Sequence, residues 1–112
     1  MMRAITVVMS LLAMAAASTA AAAAGQGEQV YQTACVTCHG ANGKGGLPGV
    51  PDFTKKGGVL SNPDDVLLKR VTNGFQSPGS PMPMPPKGGN PSLTEAQLRA
   101  AIGYIRKQFG SQ

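Results

Sequence analysis

Cys35-Val36-Thr37-Cys38-His39 is the stretch of this 112-residue chain whose side chains and spacing specify a chemistry. On a helix, positions i, i+3 and i+4 share one face, so two thiols and one imidazole point at a common object. The spacing C-x-x-C-H is the attachment signature for c-type haem. Each thiol adds to a porphyrin vinyl group as a thioether, and the adjacent histidine reaches the iron.

Other chemistries fit the residues less well. A structural zinc site needs about four ligands, and the whole chain holds two cysteines and one histidine. A thioredoxin-like redox pair expects its C-x-x-C beside a βαβ pattern, and no such pattern is visible. A plain disulfide or a chance occurrence of the motif would leave the neighbouring histidine unused.

Haem can attach to a chain of this size only if the chain reaches the right compartment. Met1-Met2-Arg3, a short apolar run from Ile5 to Ala17 and the tiny residues of Ser18 to Ala24 have the anatomy of a secretory signal peptide. The apolar run is short for a membrane span of about 20 residues. Residues 1–24 are therefore expected to be a signal peptide cleaved before Gly25, and 25–112 the domain; an uncleaved anchor is the alternative. Without the leader, nine Lys and Arg face five Asp and Glu, so the formal charge of +5 falls to +4. Such a weak net charge on an exported chain disfavours nucleic acid as a partner. About 88 residues, rich in Gly and Pro and with only two Tyr and three Phe, make a thin core. A covalently held haem would supply the missing apolar surface.

The elements that must position this group are helical. Val30, Tyr31, Ala34 and Cys35 follow helical spacing and predict a first helix of about ten residues ending at Gly40. The glycines and prolines of 40–60 predict an irregular loop, long enough to be functional and to wrap the haem edge. Asn62 as N-cap and Pro63 at the first helical position open a middle helix, Pro63 to Thr72, which Asn73-Gly74 ends. Six prolines in 76–91 resist both helix and sheet. That segment is either a disordered linker or a stiff loop that carries Met82 and Met84. The last helix starts at Thr94, with Gln97 completing a capping box and Leu93 and Leu98 a hydrophobic staple. Leu98, Ala101, Ile102, Ile105 and Phe109 then share one face. With no convincing strand, the fold class is all-α.

If His39 binds iron through Nε2, its Nδ1–H needs an acceptor. The backbone carbonyl of a proline in the following loop is suited to this, with Pro51 ahead of Pro48. A second histidine ligand is excluded, because His39 is the only one in the chain. Methionine is the remaining soft donor, and Met/His ligation raises the potential and suits electron transfer. Met82 and Met84 are two apart and project the same way in an extended segment, so spacing alone leaves both open.

These stretches together resemble the class I c-type cytochromes, of the short bacterial monohaem type grouped with cytochrome c-five. The resemblance is carried by Cys35-Val36-Thr37-Cys38-His39-Gly40, Pro51-Asp52-Phe53, Val71-Thr72-Asn73-Gly74, Met84-Pro85-Pro86-Lys87-Gly88-Gly89 and Leu93-Thr94-Glu95. The second cysteine pair that members of that group often carry near the last helix is absent. The resemblance implies a small cytochrome c fold of about three main helices, with long loops around one haem c attached through Cys35 and Cys38. It implies His39 and Met84 as iron ligands and Pro51 as the partner of His39. The function expected is that of a soluble periplasmic electron carrier, not an enzyme, which meets redox proteins as a monomer or in transient complexes. Lys44, Lys55, Lys56 and Lys87 are expected to border the haem and to guide docking to an acidic partner. Two alternatives are a haem-bearing subunit of a larger periplasmic oxidoreductase and a ligand-binding or peroxidase-like haem protein with an open sixth site.

Overall fold

The computed structural model describes Ala22 and residues 25–110; the leader, apart from Ala22, lies outside the described residues. Helix α1 covers 25–39. It is longer than the spacing predicted and is not α-helical throughout. A π-helical turn, Tyr31–Cys35, interrupts it, with the Val36 N–H donating to the Tyr31 carbonyl, and an α turn, Val36–His39, closes it. The apolar spacing is compatible with either helix type, so the π turn left no mark on the sequence. Gly40 ends the helix at φ +84° and ψ 156°, a conformation open to glycine at little cost.

Helix α2, Asp64–Asn73, starts one residue later than expected, and Pro63 rather than Asn62 occupies its cap position. Asn62 does not cap it, because its Nδ2 turns back to the Val59 carbonyl at 2.8 Å, closing the 3-10 turn Val59–Ser61. Asp64 and Asp65 place negative charge in the first turn, where the helix dipole favours it.

Helix α3, Glu95–Phe109, forms as expected. The Thr94 hydroxyl accepts from the Gln97 N–H at 3.2 Å, and the Gln97 side chain accepts from the Thr94 N–H at 2.9 Å. Leu93 and Leu98 are both buried in one cluster with Val30 and Ala101, as the staple requires. Further along the same face, Ile105 and Phe109 join a second cluster with Tyr31 and Phe53. Arg106 ties α3 to the entry of α2: it donates to Asp64 at 2.6 Å and to the Leu60 and Asn62 carbonyls at 2.7 Å each.

No extended strand occurs among the described residues, and the chain is all-α with three principal helices, as expected. One isolated antiparallel bridge joins Phe75 to Met84. The proline-rich segment is therefore an ordered loop pinned to the end of α2. It closes with a 3-10 turn, Pro86–Gly89, in which Lys87 and Gly88 take left-handed conformations.

Candidate functional site

Cys35, Cys38 and His39 project from the last two turns of α1 into one cavity of ≈ 580 Å³. That volume lies within the about 300–1,000 Å³ of small-molecule and cofactor sites. The loop expected to wrap the haem does form its wall, through Val50, Pro51, Phe53 and 57–62. Leu67 and Val71 of α2, with Ile102 and Ile105 of α3, give an apolar back. Met82, Met84 and Pro85 contribute from the proline-rich loop. All the site residues expected from the sequence therefore line one space.

The end of α1 is fixed by backbone bonds. The His39 carbonyl accepts from the Gly45 N–H at 2.8 Å, and the Cys38 carbonyl from the Gly46 N–H at 3.1 Å. The Tyr31 phenol donates to the Gly40 carbonyl at 2.5 Å. Beyond this turn the Phe53 N–H donates to the Gly43 carbonyl at 2.8 Å and brings the Phe53 ring against the imidazole. Gly43 has φ +73°, and a Cβ there would lie 2.6 Å from the Phe109 ring, so the return of the chain needs glycine. Thr54 fixes the following turn by donating its hydroxyl and N–H to Asp52, which holds that carboxyl below its ordinary range.

His39 is only 8 % exposed, and burial lowers its pKa from 6.5 to about 4. The imidazole is thus neutral near pH 7, the form that ligates a metal. Its Nδ1 is buried with no hydrogen-bond partner among the described residues. The expected bond to the Pro51 carbonyl is not formed, although Pro51 lines the cavity. Stacking on Phe53 orients the ring instead, with centroids 4.5 Å apart. Both cysteines are free thiols. Burial, and after it the neighbouring Cys38, push Cys35 up to about 11, which keeps it protonated. Among the described residues no three His, Cys, Asp or Glu side chains converge to hold a metal ion.

The methionines differ in how firmly they are held. Met84 is half-buried, and it exchanges two backbone hydrogen bonds with Phe75, at 2.7 and 3.1 Å. Met82 is 48 % exposed, and its backbone contacts are with Ser80. The residue that sequence reasoning missed is Arg70, the one Lys or Arg on the cavity wall. It follows Leu67 by three and precedes Val71, so the face of α2 that points inward already contained it. Lys44, Lys55, Lys56 and Lys87 do not line the cavity. Lys55 and Lys56 instead line a neighbouring pocket of ≈ 340 Å³ that shares Phe53, Gly57, Leu60 and Ser61 with it.

The cavity suits haem on its own chemistry. Its wall is largely apolar, and it presents two free thiols, a neutral imidazole with an unpartnered nitrogen, and two thioethers. Among the described residues no helix is long and apolar enough to cross a membrane. No curated protein matches the sequence. A family model described as cytochrome C oxidase, cbb3-type, subunit III matches residues 22–105, which include every helix named above up to the last turn of α3 and every residue that lines the cavity. A cytochrome c domain of this kind holds haem c covalently, serves electron transfer and is usually exported. Motif, fold and matched span agree that the chain is a c-type cytochrome, and that it belongs to the family of cbb3-type subunit III cytochrome c domains.

Proposed function

We propose that the protein is an exported monohaem c-type cytochrome that carries single electrons between periplasmic redox partners and is not itself an enzyme. The observation that carries this is the meeting of Cys35, Cys38, His39 and Met84 on one apolar cavity. Cys35 and Cys38 would tether the haem, His39 and Met84 would ligate its iron, and the signal peptide is removed before Gly25. The haem supplies a one-electron couple between ferrous and ferric iron. The chain's part is to keep both axial donors in place in each oxidation state, to exclude water with Leu67, Val71, Ile102 and Ile105, and to tune the potential through the thioether. Met84 is favoured over Met82 because its backbone is locked to Phe75. The Met84-Pro85-Pro86-Lys87-Gly88-Gly89 run supports placement near the cytochrome c-five group. Lysines outside the cavity, Lys55 and Lys56 foremost, steer an acidic partner.

A second reading, a haem-bearing subunit of a larger periplasmic oxidoreductase, is favoured by the description of the matching family. The protein should be made with haem-maturation machinery and weighed under denaturing conditions. A mass increase of one haem, lost in Cys35→Ala/Cys38→Ala, supports the proposal; a bare polypeptide with no Soret absorbance ends it. Purification as a stable complex supports the subunit reading. Carbon monoxide binding to the reduced protein at neutral pH supports an open sixth site.

A further inference from the structure

Arg70 sits on the cavity wall with its guanidinium carbon 4.2 Å from the centroid of the Phe75 ring. No carboxylate pairs with it among the described residues; the ion pairs there are Arg99 with Glu95 and Arg106 with Asp64. A guanidinium over an aromatic face is held by the ring quadrupole, more strongly as water is excluded. Phe75 in turn is the residue whose N–H and carbonyl pair with Met84, at 3.1 and 2.7 Å. Between the two, Gly74 has φ +82°, and a Cβ there would lie 2.9 Å from the Met84 carbonyl oxygen. The end of α2 and the methionine loop are thus in direct backbone contact, and Arg70 is the α2 side chain that lies over the Phe75 ring.

We propose that Arg70 is a positioning residue that latches the Met84 loop through the Phe75 ring, so that cation and ring together set how often the sixth iron position opens to an outside ligand. The inference rests on Met84 as the axial ligand. Opening separates the Met84 sulfur from iron as a neutral thioether, and an added imidazole then bonds to iron through a ring nitrogen lone pair. No electron is transferred, and the iron stays ferric. Only the open form binds, so the observed affinity scales with its population. Phe75 is exposed, so losing its cation–π contact raises that population about two- to fivefold.

The test is imidazole binding to the ferric holoprotein, followed by the Soret shift, with the far-red band of the thioether-to-ferric bond as a second readout. Arg70→Leu and Phe75→Leu should each bind imidazole about two- to fivefold more tightly than wild type. The double variant should gain little over either single one, because both changes break one contact. Arg70→Lys, which keeps a cation for the ring, should match wild type, and Arg70→Gln should behave as Leu does. These last two variants decide the matter if Arg70→Leu takes up no haem. Wild-type affinity in both Arg70→Gln and Arg70→Leu, or fully additive effects in the double variant, would overturn the latch. Met84→Ala separates the two claims: if it keeps the far-red band, the ligand assignment fails, whereas loss of the band with unaltered Arg70 variants refutes the latch alone.

Discussion

His39 and Phe53 lie face to face, with ring centroids 4.5 Å apart and planes 15° apart. Phe53 also meets Phe109 at 6.1 Å, and Phe109 meets Tyr31 at 5.3 Å, so the imidazole rests on a continuous aromatic stack rather than on a hydrogen bond. Aromatic pairs at these separations add to what area burial alone provides. Phe53→Ala removes the side of the stack that faces the histidine and opens a cavity beside it. It should cost about 3–5 kcal/mol, read as a lower midpoint for guanidinium unfolding of the holoprotein.

Substituting the two methionines separately distinguishes them. Met84→Ala should abolish the far-red band of the oxidised protein and lower its reduction potential, because thioether ligation raises the potential. Met82→Ala should leave both unchanged, since that side chain is half in solvent. Loss of the band only in Met82→Ala would reverse the assignment.

Gly74→Ala probes the joint between α2 and the methionine loop. At φ +82° and ψ 162° the backbone is in a region that is essentially glycine's alone, and forcing another residue into it costs about 1–3 kcal/mol. The new methyl group would also press on the Met84 carbonyl. Spectral titration of the far-red band should show it weakened in this variant, along with the loss of stability.

Tyr31 is fully buried, and burial, with smaller contributions from Cys35 and Tyr104, raises its pKa from 10.0 to about 12. The folded state therefore favours the protonated phenol. Its contribution is complete below pH 10 and is lost as pH rises from 10 to about 12, where the unfolded chain gives up its proton first. Tyr31→Phe should lose about 1 kcal/mol near neutral pH with the bond to Gly40. Unfolding curves across the alkaline range should then show a smaller decline for Tyr31→Phe than for wild type.

Electron transfer with an acidic partner should slow as salt rises, and Lys55→Gln/Lys56→Gln should flatten that dependence. Stopped-flow rates at several ionic strengths test this. A rate indifferent to salt in the wild-type protein removes the docking role of these lysines.

What the sequence made legible was local. The C-x-x-C-H turn, the Thr94–Gln97 capping box and the Leu93–Leu98 staple each depend on residues within five positions of one another, and each forms as the spacing requires. Asn62 looked like a cap because its type fits, but the Val59 carbonyl competes for its side chain and wins. The Phe75–Met84 bridge joins residues nine apart across three prolines and leaves no pattern to read. Arg70 was readable in principle: the Leu67–Val71 face includes it, but a charged side chain there looks like a solvated edge until the cavity is seen. The Pro51 carbonyl was expected at Nδ1 on donor and acceptor logic, whereas the ring is held by its face.

The Tyr31–Cys35 π turn holds one more residue than an α-helix would need to cover the same rise. Val30 before it and Tyr31 at its start are packed into the polypeptide's own clusters, while Cys38 and His39 after it belong to the cavity wall. The surplus residue works as a phase shifter between two angular settings of a single rod. Were the same residues wound as regular α-helix, Cys38 and His39 would sit about 100° further round from the anchored half, on a stable helix that aims its chemistry at the wrong neighbour.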